Sequence, residues 1–192
     1  MPERALARVC REAGAVVKNN AKLCDMNLGV AVADKRHVEV LAQGLPCRGG
    51  RQLAVDITLR SVLDALGEPV PRAASVDGVV AEGARRSKEE CYPELVRARR
   101  CTLVVLCMET GGRWCSEAVV FLEELAHAKA RAAPPALRAA TVLAWQRRWA
   151  RLLATACSRS SAQSLVAPAG DLGTVAADGA APALHDVLAR GC

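Results

Sequence analysis

The stretch Arg51-Gln-Leu-Ala-Val-Asp-Ile-Thr-Leu59 decides the expected fold of this chain. Its apolar residues alternate with polar or small ones, which is the pattern of a half-buried β-strand. The strand would carry Asp56 at its centre, on its polar face. Upstream, Glu39 lies between Val38 and Val40 in a second short alternating run. Either the two acids share a function, or they lie on the solvated face that antiparallel sheets commonly have.

The composition is that of one folded domain with a mild basic bias. The chain has 192 residues, of which 52% are hydrophobic and only 3% are aromatic, so Ala, Val and Leu must fill the core. The net charge of +6 is compatible with a polyanionic partner but does not require one. No apolar run approaches the roughly 18 residues of a membrane span, and the charged N-terminus does not resemble a secretory signal. We therefore expect an intracellular protein that does not bind membranes.

Most of the nine cysteines are expected to be small core residues. They form no Cys-x-x-Cys pair, and the three histidines lie far from them in sequence. Structural zinc sites usually have tighter ligand pairs, so the spacing disfavours zinc. Without a secretory signal, disulfides are disfavoured as well.

The order of elements predicts a mixed α/β domain, with a β-hairpin and a buried central strand in one sheet flanked by helices. The predicted elements are an N-terminal amphipathic helix, hairpin strands at about 37–42 and 52–60, a loop over 64–76, a helix that Pro93 ends after about Tyr92, a buried strand over 101–107, a helix over 115–132, and a long helix that begins at Pro134-Pro135. We expect an α/β domain over 1–133, a long C-terminal helix over 134–166 packed on it, and a low-complexity tail over 167–192 with a short helix near 184–188.

These elements bring two acids and a lysine into reach of one another. Lys88 and Tyr92 lie four residues apart on one flank of the predicted helix, which follows the strands of Glu39 and Asp56. Two carboxylates can bind Mg²⁺ or Mn²⁺ and leave positions for water and a phosphate. A lysine nearby can orient the attacking water and offset the charge of the phosphate. This is nuclease chemistry, although charged runs such as the one around Lys88 are usually solvated helix surface.

The motifs occur in the order found in a known nuclease family. They are Glu39, Val55-Asp-Ile-Thr58, Lys88-Glu-Glu-Cys-Tyr92 and Leu103-Val-Val-Leu-Cys-Met-Glu-Thr-Gly-Gly-Arg-Trp114. Over about 34–125 the chain resembles the restriction-endonuclease-like, PD-(D/E)xK-type domain that follows the reverse transcriptase in site-specific non-LTR retrotransposons. The resemblance implies a restriction-endonuclease-like mixed sheet flanked by helices, with a C-terminal helical extension.

The same resemblance implies a divalent-metal-dependent DNA endonuclease of retroelement origin. Glu39 and Asp56 would then bind Mg²⁺ or Mn²⁺, Lys88 would position the water, and Tyr92 would support Lys88 or contact phosphate. The expected partner is DNA, with RNA as the alternative, and the expected setting is a larger polyprotein with a reverse transcriptase, in the nucleus. The second hypothesis is a non-catalytic nucleic-acid-binding or interaction module, the decayed remnant of such a nuclease.

The chain departs from the family pattern at three places. Glu39 stands where the family has Pro-Asp on the first strand, and Asp34 is the other candidate for that acid. The lysine usually found on the Asp56 strand is missing, so Lys88 would replace it. The second lysine of Lys-x-x-Lys-Tyr is Cys91. Glu109, at the end of the buried strand, is either a further ligand or an acid at a helix entry.

The last predicted helix carries aromatic and basic residues. Trp145 and Trp149 lie on its apolar stripe, and this helical spacing favours core packing over stacking on bases. Arg147, Arg148 and Arg151 are the candidate contacts to nucleic-acid phosphates, and they are equally compatible with solvated surface.

Overall fold

A four-stranded sheet with helices on both faces forms the centre of the protein. The computed structural model describes residues 2–64 and 66–166. Its elements are α1 (Pro2–Ala13), β1 (Val16–Lys22), β2 (His37–Gln43), β3 (Gln52–Arg60), α2 (Val79–Cys91), α3 (Pro93–Arg97), β4 (Cys101–Glu109), α4 (Ser116–Ala130) and α5 (Arg138–Val166), with short 3₁₀ turns at Leu23–Met26, Arg48–Gly50 and Pro135–Leu137. The predicted mixed α/β class is confirmed at this level.

The strands lie in the order β1-β2-β3-β4. The first two pairings are antiparallel and β3 pairs with β4 in parallel, so the chain crosses over between them through α2 and α3. Asp56 of β3 lies opposite Val105 of β4. The predicted hairpin and buried strand therefore belong to one sheet, as expected.

Each face of the sheet is covered by its own set of helices. The core against α1, α4 and α5 contains Phe121 and Trp149. The core on the other face contains Tyr92 and Leu95, near α2 and α3. This double cover explains why β4 is apolar on both faces.

The prediction of a half-buried strand with Asp56 on its polar face is wrong, because both faces of β3 are covered. β3 is buried on both sides from Leu53 to Ile57, and Asp56 is 0% exposed. The alternation in its sequence reflects small and polar residues on the face that α2 and α3 cover. The alternative of two acids on a wet sheet face is excluded with it, and the burial of Asp56 calls for a compensating partner.

Two elements were not predicted. β1 contains the sequence Val-Val-Lys-Asn-Asn-Ala-Lys, and its pattern is mostly exposed, as befits an edge strand. Pro93 ends α2 as predicted, but it also begins the short α3, because proline is well tolerated in the first turn of a helix.

The long C-terminal helix packs on α1 and α4. Trp149 is fully buried and its ring centroid lies 5.1 Å from that of the half-buried Trp145, which confirms the core role of this stripe. Five cysteines are buried and three are partly or fully exposed among those described. The predicted tail over 167–192, with its short helix, lies outside the described residues. No helix within the described part of the chain is long and apolar enough to cross a membrane.

Candidate functional site

The two predicted acids lie where the pairing of β2 with β3 ends. Val40 and Val55 are the last paired residues, and Glu39 and Asp56 occupy the next position of the same register. There the Glu39 amide donates to Asp56 Oδ1 over 3.1 Å, and the Ile57 amide donates to Glu39 Oε2 over 2.9 Å. Each carboxylate thus bonds the backbone of the opposite strand. These bonds fix both side chains at the point where the regular ladder stops.

The sheet is also interrupted on the other side of Glu39. In the pairing of β1 with β2, Asn19 lies opposite Val40 and Ala21 lies opposite Val38. Between these two pairs, Asn20 and Glu39 are not paired. Asn20 has a φ of 48°, a left-handed conformation that asparagine tolerates better than most residues. The ladder of β2 is therefore broken on both sides at the same residue, Glu39.

Lys88 of α2 supplies the counter-charge for Asp56. Its Nζ lies 2.8 Å from Asp56 Oδ2. The angles at this contact are not those of a hydrogen bond, so within the described residues the buried Oδ2 accepts none. A buried carboxylate oxygen whose contact with a lysine lacks hydrogen-bond geometry still has a lone pair for a cation or a water molecule.

Tyr92, at the end of α2, positions the lysine. Its hydroxyl donates to the carbonyl oxygen of His37 over 2.8 Å, and its ring centroid lies 5.9 Å from Lys88 Nζ. Burial raises the pKa of the Tyr92 hydroxyl above its usual range, so it is a neutral donor. Tyr92 was predicted either to support Lys88 or to contact phosphate. Because its hydroxyl already donates to the first residue of β2, the structure favours support of Lys88.

The environment of Glu39 disfavours its charged form. Burial is the main cause and raises the pKa of Glu39 to about 7. The Ile57 amide and the charge of Lys88 act in the opposite direction, whereas the charge of Asp56 raises the pKa further. A cation close to Glu39 would therefore stabilise the charged form of this side chain.

These side chains line one cavity of about 400 Å³. The lining residues are Lys35, Arg36, His37, Glu39, Asp56, Lys88 and Tyr92. The structure therefore brings together all four residues that were predicted for catalysis. The basic residues at the start of β2, Lys35, Arg36 and His37, were missed, and their signal in the sequence is a Lys-Arg-His run that ends two residues before Glu39.

The other candidate acids are used elsewhere. Asp34 accepts from the Arg36 guanidinium at 2.9 and 2.7 Å, and it does not line the cavity. Glu109, at the far end of β4, accepts from Arg113 at 2.9 Å. Of the candidate acids, Glu39 therefore lies beside Asp56, whereas Asp34 and Glu109 do not line this cavity.

The arginines predicted to contact nucleic acid lie on α5. Arg148 donates to Glu12 of α1 at 2.9 and 2.8 Å, and the Trp149 indole donates to the same carboxylate at 3.0 Å. Arg148 therefore joins two helices. Arg147 and Arg151 are exposed, and none of the three lines the cavity of the acids.

Glu39 and Asp56 fit a divalent cation as a pair of ligands. Each acid uses one oxygen for a backbone amide, so the oxygens that would hold the cation are Glu39 Oε1 and Asp56 Oδ2, of which the latter also contacts Lys88. Mg²⁺ is often held by one or two carboxylates together with water and substrate phosphate. No group of three or more His, Cys, Asp or Glu side chains suited to a metal occurs among residues 2–64 and 66–166. A cation here would depend on its water and phosphate ligands.

Comparisons with known proteins add no relative to this picture. No protein-family model matches the chain, and no curated protein is significantly similar to it. The geometry and chemistry of the site itself are therefore the basis for inferring a function.

Proposed function

We propose that this chain is a divalent-metal-dependent DNA endonuclease domain of retroelement origin that nicks DNA by phosphodiester hydrolysis. The observation that supports it most is the contact of 2.8 Å between Lys88 Nζ and Asp56 Oδ2, beside Glu39, in one cavity. Two acids from neighbouring strands and a lysine from the next helix form the constellation that this chemistry needs. The resemblance adds to the proposal a larger polyprotein with a reverse transcriptase and a nuclear location.

The chemistry requires water to attack phosphorus while one ester oxygen leaves. Lys88 can donate a hydrogen bond to the water or to a phosphate oxygen, and its charge opposes the negative charge that develops there. Glu39 and Asp56 would hold Mg²⁺, which neutralises phosphate charge and lowers the pKa of bound water. Tyr92 holds the end of α2 against His37 and so limits the movement of Lys88.

A non-catalytic nucleic-acid-binding or interaction module remains the second candidate. It is favoured by the ion pair itself, because Lys88 already neutralises the buried charge of Asp56. Such a pair is complete as a structural element and needs no metal. The decisive question is whether the acids bind a cation that supports cleavage.

Nicking of supercoiled plasmid DNA by the purified chain tests the proposal. We expect nicking in Mg²⁺ or Mn²⁺ and none in EDTA, and we expect Asp56→Asn and Lys88→Met to abolish it. Glu109→Gln is the matched control, because Glu109 is also a buried acid that is paired with a basic residue, but it lies at the far end of β4. That variant should nick DNA as the wild type does.

Loss of folding must be separated from loss of chemistry. Circular dichroism identifies variants that are unfolded, and Glu39→Gln provides a second site variant because its amide oxygen still accepts from Ile57. Nicking by folded Asp56→Asn at the wild-type rate would contradict the catalytic assignment. If the folded wild type does not cleave DNA or RNA in either metal, the non-catalytic module is the better description.

A further inference from the structure

A second cavity, of about 940 Å³, lies at the start of the two parallel strands. Four arginines line it, and we call them the arginine cleft: Arg51, Arg97, Arg99 and Arg100. Arg51 directly precedes β3 and Arg100 directly precedes β4, and the Gln52 amide donates to the Arg100 carbonyl over 3.1 Å. Parallel strands lie about 4.8 Å apart, so the pairing fixes these two positions side by side.

No acid among the described residues pairs with the arginines of the cleft. All four residues are exposed. The arginines that do pair with acids are Arg8, Arg36, Arg48, Arg85, Arg113 and Arg148. Glu94, the one acid in the described lining of the cleft, accepts from Arg36 over 2.7 Å. Four like charges around one cavity repel each other, which an external anion would relieve.

The arginine cleft adjoins the cavity of the acids. Glu94 lines the cleft and Arg36 lines the acid cavity, so the ion pair of 2.7 Å between them connects the linings of the two cavities. A chain of phosphates that lies in the cleft can therefore continue past Arg36 towards Lys88. A single small anion would use only one part of such a surface.

We propose that the arginine cleft binds the phosphodiester backbone of a nucleic acid next to the site of Glu39 and Asp56. Guanidinium groups match phosphate oxygens with two parallel hydrogen bonds, and several unpaired arginines suit a polymer that carries repeated phosphates. The inference rests on the proposed function for the class of ligand but not on cleavage. It also places backbone binding at the start of β3 and β4 rather than on α5.

The salt dependence of binding tests this assignment. A fluorescein-labelled DNA duplex and the corresponding single strand are titrated with the full chain in EDTA at several salt concentrations. Each phosphate contact contributes about 0.9 to the slope of log K against log salt for duplex DNA. The double variant Arg97→Gln/Arg100→Gln should lower that slope by about 2 and weaken binding. The double variant Arg4→Gln/Arg11→Gln removes the same charge from exposed residues of α1 and should leave the slope unchanged.

The possible outcomes separate this inference from the proposed nuclease. An unchanged slope in the cleft variant, equal losses in both double variants, or preferential binding to phosphatidylserine vesicles over DNA would overturn the assignment. If the wild type nicks DNA and the cleft variant binds as the wild type does, only the arginine cleft is wrong. If binding depends on the cleft and no nicking occurs, the nuclease is wrong and the cleft stands.

Discussion

The half-buried carboxyl of Glu39 should make the stability of the protein depend on pH. Its pKa is about 7 in the folded protein, compared with an ordinary value of 4.5. One pKa unit corresponds to about 1.4 kcal/mol, so the difference corresponds to at most about 3 kcal/mol of unfolding free energy. The folded state binds this proton more tightly than the unfolded state does. The stabilisation that protonation provides is therefore complete below pH 4.5 and is lost as the pH rises to about 7.

Glu39→Gln should remove this dependence. The side-chain amide that the substitution introduces does not titrate, and its oxygen can still accept from the Ile57 amide. At about pH 5 the variant should be nearly as stable as the wild type, and at about pH 8 it should be more stable by up to about 3 kcal/mol. Urea unfolding at both pH values measures the difference. At the higher pH, Mg²⁺ should stabilise the wild type but not the variant, because only the wild type offers both carboxylates.

The decisive quantity is how the difference in unfolding free energy between Glu39→Gln and the wild type changes from about pH 5 to about pH 8. A steric effect of the substitution would change the stability equally at both, whereas the charge effect appears only at the higher pH. An equal difference at the two pH values, or a variant that loses stability as the pH rises, would refute the assignment of a desolvated carboxylate at Glu39. A stabilising effect of Mg²⁺ that persists in Glu39→Gln would place the cation elsewhere.

Three further substitutions test the packing around the site, each by chemical or thermal unfolding. Lys88→Met leaves the buried charge of Asp56 unpaired and should lower the unfolding free energy by about 3–5 kcal/mol. The double variant Lys88→Met/Asp56→Asn should lose less stability than the sum of the two single variants. Additive losses would show that the pair is not coupled. Tyr92→Phe removes the hydrogen bond to His37 and should cost about 1 kcal/mol, so an unchanged stability would show that this bond contributes nothing. Trp149→Ala should cost about 3–5 kcal/mol, and a loss below about 1 kcal/mol would contradict its position in the core.

The parts of the fold that were predicted have local signals. The apolar run of β4 and the periodic stripes of α2 and α4 are visible within single segments. β1 has no such signal, because an edge strand with Lys and Asn is held mainly by its pairing with β2. The prediction for the strand face of Asp56 was wrong for a related reason. Alternation along a strand does not tell whether a second layer of helices covers the polar side.

The site shows the same division between local and long-range information. Glu39, Asp56 and Lys88 were found because each has a distinct position on its own element. The ion pair between the last two could not be predicted, since it depends on how α2 packs on the sheet. The arginine cleft was missed entirely, because Arg51 and Arg100 become neighbours only through the parallel pairing of β3 with β4.

The balance of charge around Asp56 separates the structural explanation from the functional one. One buried acid and one lysine would suffice for a structural ion pair, and Lys88 fulfils that role for Asp56. Glu39 adds a second carboxylate whose desolvation is unfavourable, and the nearby Arg36 is already bound to Asp34 and Glu94. Above about pH 7 Glu39 is charged as well, and within the described residues neither Lys88 nor Arg36 forms an ion pair with it. A purely structural role does not explain this second, desolvated carboxylate, whereas a bound cation would stabilise its charged form, so Glu39 is the residue on which the proposed function depends most.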